Sequence, residues 1–271
     1  MNESGEGILR TDSELKQHIC EIGRRVYEKG FVAANDGNIS VRVGKDAFFV
    51  TPTGVSKGFL TPDMIIKVNG DGEVLEGSYK PTSEMKMHLR VYKERPDVYA
   101  VVHVHPPYAT AFAVAGIPLN QATMPELVVL LGTIPLAGYG TPSTEEVPEA
   151  VAEYVHNHQG VLLENHGALT WGRDLEHAYF LMESLEFCAK INWLARQMNG
   201  DRELSERNVE RLLQLKANIG IAGESPKGVP CAPGITAKKV TPPQEVILSE
   251  RAMNDLVEKV AKRVIEELQR K

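Results

Sequence analysis

The chain has 271 residues, enough for one large domain with a buried core or for one domain and an appendage. Hydrophobic residues make up 42% and charged residues 24%, as in an ordinary soluble globular protein. The formal net charge of -6 argues against a nucleic-acid-binding surface, which would be basic.

Cysteine usage and hydropathy indicate the compartment. The three cysteines have no paired spacing and form no CxxC motif: Cys20, Cys188 and Cys231. Residues 1–10 lack the apolar segment of a secretory signal, and no run approaches the roughly 18 apolar residues of a membrane span. We therefore expect a cytoplasmic protein without a nucleic-acid or membrane partner.

The first third of the chain reads as one helix followed by strands. Thr11 and Glu14 have the spacing of a capping box, and Gly30 ends the apolar periodicity of the predicted helix. Strand patterns follow in three segments, namely residues 39–43, 47–50 and 65–68. A second helix is predicted from about Thr82 to about Glu94.

The middle of the chain alternates strands and helices. The predicted elements are a strand at 98–104, a short helix at 108–115, strands at 161–163 and 168–171, and a long helix from Asp174 to about Met198. Several strands are joined by turns too short for a crossover helix. Residues 1–219 are therefore predicted to form a layered α/β domain, with a mixed, partly antiparallel central sheet flanked by helices.

The C-terminal part of the sequence has a different composition. Residues 220–247 are rich in glycine and proline and are predicted to be a linker. Residues 248–271 have apolar residues on one face of a predicted helix. This arrangement resembles the encapsulation peptides that direct enzymes into bacterial microcompartments. A helix that docks on its own oligomer is the alternative.

The strongest chemical signal is His103-Val104-His105. On a strand, residues i and i+2 project from one face, so two imidazoles can converge on one cation while Val102 and Val104 pack into the core. Two histidines that simply face solvent are the alternative. His166, between an apolar strand and Gly167, supplies a candidate third ligand, and three protein ligands with one open position are typical of catalytic zinc.

Glu84 and three turn sequences provide candidate acid–base and anion-binding groups. Glu84 lies at the predicted start of a helix, where it is either a general acid/base or a residue that caps the helix. Short turns and a helix N-terminus expose N–H groups and hydroxyls that can bind a phosphate without a lysine, or are turns and caps only. The candidate phosphate-binding residues are Gly37, Asn38, Thr53, Gly54, Thr82 and Ser83.

Together these motifs resemble the class II aldolase/adducin family, and within it the L-fuculose-1-phosphate aldolases. The resemblance extends from about residue 12 to about residue 200. It depends on five motifs in the expected order: Gly37-Asn38-Ile39-Ser40, Thr51-Pro52-Thr53-Gly54, Pro81-Thr82-Ser83-Glu84, His103-Val104-His105 and Asn165-His166-Gly167-Ala168.

The resemblance implies a site and a reaction. It implies one Zn²⁺ per subunit held by His103, His105 and His166, with Glu84 close to the ion or ligating it; another divalent ion is the alternative. It also implies a homotetramer with sites near subunit boundaries. It also implies retro-aldol cleavage of a ketose 1-phosphate, such as L-fuculose 1-phosphate. The products would be dihydroxyacetone phosphate and an aldehyde such as lactaldehyde, with Glu84 transferring a proton at C3.

Three other functions remain open at this point. One is a ribulose-phosphate 4-epimerase, although such relatives tend to carry Asp where this chain has Glu84. Another is an aldolase or dehydratase acting on a deoxy- or methylthio-ribulose 1-phosphate. The third is a non-catalytic, adducin-like interaction module. Where the fuculose enzymes carry a tyrosine, this chain has Glu126 nearby, which either takes over that role or contacts a neighbouring subunit.

Overall fold

The computed structural model describes residues 11–198, 200–221 and 223–229. The predicted C-terminal helix at 248–271 and most of the predicted linker lie outside these residues. The described start of that linker contacts the domain, because Glu224 N–H donates to Asn157 O and Ser225 Oγ donates to Val128 O. The domain boundaries therefore stay predictions.

Helices and strands alternate along the described chain. The helices are α1 (Asp12–Glu28), α2 (Met85–Glu94), α3 (Pro107–Val114), α4 (Glu146–Ala152), α5 (Leu175–Gln197) and α6 (Glu206–Asn218). The strands are β1 (Asn38–Gly44), β2 (Ala47–Val50), β3 (Ile66–Val68), β4 (Val74–Glu76), β5 (Ala100–Val104), β6 (Leu136–Ala137), β7 (Gly160–Leu163) and β8 (Gly167–Gly172). No helix among the described residues is both long and apolar enough to cross a membrane.

The strands form one eight-stranded sheet in the order β4-β3-β2-β1-β5-β8-β7-β6. Each neighbouring pair in this sheet is antiparallel except β6 and β7, which are parallel. The prediction of a mixed, partly antiparallel sheet flanked by helices is confirmed. The short turns that suggested it join β1 to β2 and β7 to β8.

A hydrophobic core covers each face of the sheet, because side chains on a strand alternate between its faces. The first core contains Val102 and Val104 of β5 together with apolar residues of α1, α3 and α5. The second contains Val101 of β5 together with residues of α2 and α4. His103 has the same parity as Val101 and therefore lies on the face that α2 covers. The strand is buried on both faces, which explains why three of its five residues are valine.

Local signals located some helix ends accurately and missed some elements. Thr11 and Glu14 form the predicted capping box at the start of α1. The second helix begins at Met85, just after the predicted start, because Thr82 O and Oγ1 accept hydrogen bonds from the N–H groups of Met85 and Glu84 and form a turn there. The sequence did not predict β4, β6, α4 or α6. β6 has only two residues, too few for a recognisable alternation.

Candidate metal and phosphate site

Four predicted residues meet at one end of the sheet. His103 is the penultimate residue of β5, and His105 follows directly after that strand. His166 lies in the turn between β7 and β8, next to Asn165, whose φ is +55°. Glu84 is the N-cap residue of α2. The antiparallel pairing of β5 with β8 brings His105 and His166 to the same end of these two strands, although 61 positions separate them in the chain.

The imidazole nitrogens and the carboxylate of these residues converge on one point. His105 Nε2 lies 3.2 Å from His103 Nε2. The two oxygens of Glu84 lie 3.3 Å from His103 Nε2 and 3.4 Å from His166 Nε2. One nitrogen from each histidine lies within 4.8 Å of the others. Ligands placed about 2.0–2.1 Å from a tetrahedral zinc ion are about 3.3 Å apart, so this spacing suits one small divalent cation.

One hydrogen bond and one electrostatic contact orient two of the rings. His103 Nδ1–H donates to Ala168 O at 2.9 Å, which leaves the lone pair of Nε2 directed at the cluster. His105 Nδ1 faces Asp36 Oδ2 at 3.6 Å, an electrostatic contact longer than a hydrogen bond. Glu84 Oε1 is buried and accepts no hydrogen bond from the described residues. A buried carboxylate oxygen beside three imidazoles is a donor set that a divalent cation would satisfy.

The electrostatics of the cluster favour ligation. Burial, and next the charge of His103, lower the pKa of His105 and His166 to about 4, so both rings are neutral at pH 7. Burial opposes the charged form of His103 as well, but the facing carboxylate of Glu84 raises its pKa overall. Burial also opposes ionisation of Glu84, yet the charges of His103 and His166 lower its pKa. The neutral rings of His105 and His166 and the ionised carboxylate of Glu84 are therefore in the protonation state that binds metals, and His103 would release its proton when an ion binds.

The helix-capping alternative for Glu84 does not describe its side chain. Glu84 occupies the N-cap position, but its carboxylate makes no capping hydrogen bond. Instead, its Oε2 accepts a hydrogen bond from Asn38 Nδ2 at 2.9 Å. The carboxylate therefore points toward the histidines and β1 rather than toward the amides of its own helix.

The predicted phosphate-binding segments lie next to one another. Thr53 N–H donates to Lys80 O, and Pro52 and Pro81 form an isolated antiparallel bridge, so the Thr53-Gly54 turn adjoins the Thr82-Ser83 turn. Gly37-Asn38 adjoins both, because Thr51 Oγ1 accepts from Ile39 N–H and Asn38 contacts Glu84. Thr53, Gly54 and Ser83 are exposed, whereas Thr82 and Asn38 are buried. Phosphate binding by these six residues stays a prediction.

Lys57 is a residue of this region that the sequence analysis did not single out. Its side chain is 1% exposed, and its Nζ donates to Asn35 O and Val55 O. Burial lowers the pKa of this ammonium to about 8. Lys57 therefore joins the loop that precedes Gly37 to the loop that follows Gly54. A lysine three residues after a turn glycine carries no sequence signal for this role.

Glu126 and His88 complete the account of the candidates. Glu126 is exposed at the start of a single π-helical turn, Leu127–Leu131, and either of its predicted roles stays a prediction. His88, which the sequence analysis did not single out, is fully buried and contacts Asn38. Its position four residues after Glu84, on the same helix face, is the signal that could have linked them.

Gly37 allows β1 to pass close to β5. Its φ is +75°, and a Cβ there would lie 2.9 Å from His103 O and 2.8 Å from Val32 Cγ1. We expect Gly37→Ala to lower the free energy of unfolding by about 2 to 4 kcal/mol in urea denaturation, from left-handed strain plus overpacking. Gly30→Ala is the matched control, because Gly30 has φ +70° and nothing within 4 Å of its Cβ. Equal losses for both variants would contradict the packing argument.

Comparison with known proteins assigns the chain and its fold to a family. Residues 17–193 match the family model described as the class II aldolase and adducin N-terminal domain. The chain belongs to the class II aldolase and adducin family. A solved structure titled L-fuculose 1-phosphate aldolase covers 79% of the chain with its whole length, at a TM-score of 0.71 and 30% identity. The fold, the enzyme class and the sequence resemblance are thereby confirmed.

Members of this family with different names resemble the chain to similar degrees. The L-fuculose phosphate aldolase of Methanococcus maripaludis is 35% identical over 66% of this chain and 96% of its own. The 3-oxo-tetronate 4-phosphate decarboxylase of Cupriavidus necator is 34% identical over 69% of this chain and 86% of its own length. The 5-deoxy-D-ribulose 1-phosphate aldolase of Bacillus thuringiensis is 31% identical over 73% of this chain and 92% of its own length. These similarities leave the substrate to be decided by experiment.

Proposed function

We propose that this protein is a zinc-dependent aldolase that cleaves a ketose 1-phosphate, such as L-fuculose 1-phosphate, into dihydroxyacetone phosphate and an aldehyde such as lactaldehyde. The observation that carries the proposal is the convergence of three imidazoles and one carboxylate with spacings of 3.2 to 3.4 Å. By their names, two of the relatives described above are aldolases acting on sugar phosphates, one of them on a ribulose 1-phosphate.

His103, His105 and His166 would hold the zinc ion, and Glu84 lies beside them. When bound, such an ion supplies Lewis-acid chemistry that stabilises the negative charge of an enediolate. Breaking the C3–C4 bond of the ketose leaves its electron pair on the C3 side. C4 becomes the aldehyde carbonyl as its hydroxyl proton leaves to solvent, and Glu84 would pass one proton taken from solvent to C3, so that the protons balance; in the aldol direction Glu84 would remove that proton from C3.

The turns around Gly37, Thr53-Gly54 and Thr82-Ser83 would bind the phosphate. The exposed residues Thr53, Gly54 and Ser83 would offer the N–H groups of Gly54 and Ser83 and the hydroxyls of Thr53 and Ser83 to a dianion. Lys57 places a positive charge behind two of the loops. Binding the phosphate at these loops would fix the C1 end of the sugar and so align C3 with Glu84. Burial of Val102 and Val104 behind the histidines keeps the metal-facing side of β5 in place.

The decisive experiment is a substrate panel. Several ketose 1-phosphates are incubated with the purified chain, with and without a chelator, and release of dihydroxyacetone phosphate is measured with a coupled dehydrogenase. We expect release from at least one ketose 1-phosphate, loss of release with chelator, and recovery with added Zn²⁺ rather than Mg²⁺. No release from any member of the panel would sink the aldolase proposal.

The same panel separates the rivals. 3-oxo-Tetronate 4-phosphate, tested for CO₂ release, examines the reaction named for the decarboxylase relative. A ribulose 5-phosphate tested for xylulose 5-phosphate formation examines the epimerase. A 5-deoxy- or methylthio-ribulose 1-phosphate examines the remaining aldolase and dehydratase functions. Absence of bound metal together with inactivity on the whole panel would favour the adducin-like module.

We also propose a homotetramer and a targeting role for the C-terminal segment at 248–271. Both come from the sequence pattern and the family resemblance. Truncation after Val229 keeps the contacts of Glu224 and Ser225 with the domain. Unchanged activity and oligomeric state, with loss of association with microcompartment shell proteins, would support targeting. Dissociation of the oligomer on sizing would indicate docking on the protein's own subunits instead.

A further inference from the structure

Two rows of polar side chains meet between β1 and α2. Asn38 and Ser40 are two residues apart on β1, so they share a face and lie about 6.5–7 Å apart along the strand. Glu84 is the N-cap of α2, and His88 and Tyr92 follow at intervals of four residues, about 6 Å along the helix. The spacing of the side chains along β1 nearly matches their spacing along α2. The side chains of the strand can therefore contact those of the helix one after another.

The rows are joined by a continuous chain of hydrogen bonds. Tyr92 OH lies 2.8 Å from Ser40 Oγ, which lies 2.7 Å from His88 Nδ1. His88 Nε2 lies 2.5 Å from Asn38 Oδ1, and Asn38 Nδ2 lies 2.9 Å from Glu84 Oε2. Ser40 and His88 are 0% exposed, and Asn38 and Tyr92 are 3% exposed. This chain of hydrogen bonds runs through four buried polar side chains and ends at the carboxylate of Glu84 in the candidate site.

The charge of Glu84 sets the direction of every bond in this chain. A carboxylate can only accept, so Asn38 presents its N–H to Glu84 and its oxygen to His88. His88 must then carry its proton on Nε2 and accept at Nδ1 from the Ser40 hydroxyl. Ser40 in turn accepts from Tyr92 OH. Burial, and next the charge of His103, lower the pKa of His88 to about 3, so the ring is neutral and has one proton to donate.

We infer that Asn38, His88 and Ser40 are positioning residues that hold the Glu84 carboxylate in place for proton transfer. The inference deepens the proposed function and rests on it. Asn38 is the one neutral side chain among the described residues that donates to the carboxylate, while Oε1 accepts no hydrogen bond from them. The side-chain oxygen of Asn38 accepts from His88, and one of its amide N–H groups donates to Glu84. One amide N–H remains for the phosphate contact predicted from the sequence.

His88 offers a matched pair of substitutions. In His88→Gln, the side-chain amide nitrogen can take the position of Nε2 and donate to Asn38. In His88→Asn, the shorter side chain reaches only the position of Nδ1 near Ser40, so the bond to Asn38 is lost. Both variants bury one neutral amide at the same place, which controls for polarity. They differ in the one contact on which the inference depends.

We expect His88→Asn to lower kcat by about 10- to 100-fold, the range found when a supporting hydrogen bond of a metal site is removed. KM for the ketose 1-phosphate, zinc content and the melting temperature of the metal-free protein should remain near those of the wild type. We expect His88→Gln to restore kcat to within about 5-fold of the wild type, because the donor to Asn38 is back. Equal losses in both variants, or no loss in either, would overturn the inference.

Two further measurements cover the remaining outcomes. If His88→Asn does not fold, Ser40→Ala, which removes one oxygen, replaces it: a lower kcat at unchanged KM supports the inference, and a wild-type kcat overturns it. If the wild type cleaves no ketose 1-phosphate, the proposed function fails by itself. Crystal structures of the two His88 variants then decide. Displacement of Glu84 in His88→Asn alone supports positioning, and an unmoved carboxylate in both overturns it.

Discussion

His105→Ala is expected to abolish zinc binding and to lower kcat/KM by at least about 1000-fold. The variant leaves two imidazoles and Glu84 around a site whose spacing suits a small tetrahedral cation. Loss of a Lewis acid that stabilises the developing charge by several kcal/mol corresponds to about three powers of ten in rate. His105 is preferred over His103, because its side chain is 26% exposed and that of His103 is 0% exposed. Its removal therefore disturbs the fold least.

Zinc per subunit, measured by mass spectrometry after dialysis, reports on His105→Ala directly. His156→Ala is the matched control, because His156 is a surface histidine with a 58% exposed side chain that pairs with Glu94. We expect this control to keep full zinc content and activity. A His105→Ala protein that retains stoichiometric zinc would show that the three imidazoles do not share an ion.

Glu84→Gln is expected to keep the metal and lose turnover by about 100- to 10,000-fold. The amide has nearly the same size as the carboxylate and still accepts from Asn38 through its oxygen. It cannot deliver or remove a proton at C3, and a positioned general acid–base typically contributes about 10²- to 10⁴-fold. KM should change little, because the phosphate loops are untouched. The measurement is kcat and KM with the substrate identified by the panel, together with zinc content.

Glu94→Gln provides the control for this substitution. Glu94 ends the same helix, and its carboxylate pairs with Arg90 and His156 at the protein surface. The change in charge and size is identical, but Glu94 lies at the opposite end of α2 from Glu84 and the cluster of His103, His105 and His166. We expect wild-type kcat for this control. Full activity in Glu84→Gln would reject the acid–base role, even if the zinc site proves correct.

Much of the fold was predictable because its signals are local. The capping box of Thr11 and Glu14 lies within one turn of helix. The continuous apolar run of β5 reflects a strand buried on both faces. Elements with weak or short patterns were missed, such as the two-residue β6, which exists because it pairs in parallel with β7. Its two residues acquire strand geometry from their neighbour and not from their own propensity.

The site was predictable to the extent that chemistry is concentrated in short motifs. His103 and His105 share a strand face, so their closeness follows from the period of a strand. His166 was included by its residue type and by resemblance, and its approach depends on the pairing of β5 with β8. Lys57 and His88 were not found, because their partners are Asn35, Val55, Asn38 and Ser40. Except for Val55, these partners lie 22 to 50 positions away in the chain, so the contacts cannot be recognised from neighbouring residues.

The sequence by itself determined the α/β class, the mixed sheet and the family, because periodicity, turn composition and ordered motifs are properties of neighbouring residues. Only the tertiary structure decided that Glu84 faces the histidines instead of capping its helix, and that Asn38 and His88 stand behind it. The physical reason is the packing of α2 against β1. Two rows of side chains with nearly equal spacing come into contact there, and the charge of one carboxylate orders the hydrogen bonds along them.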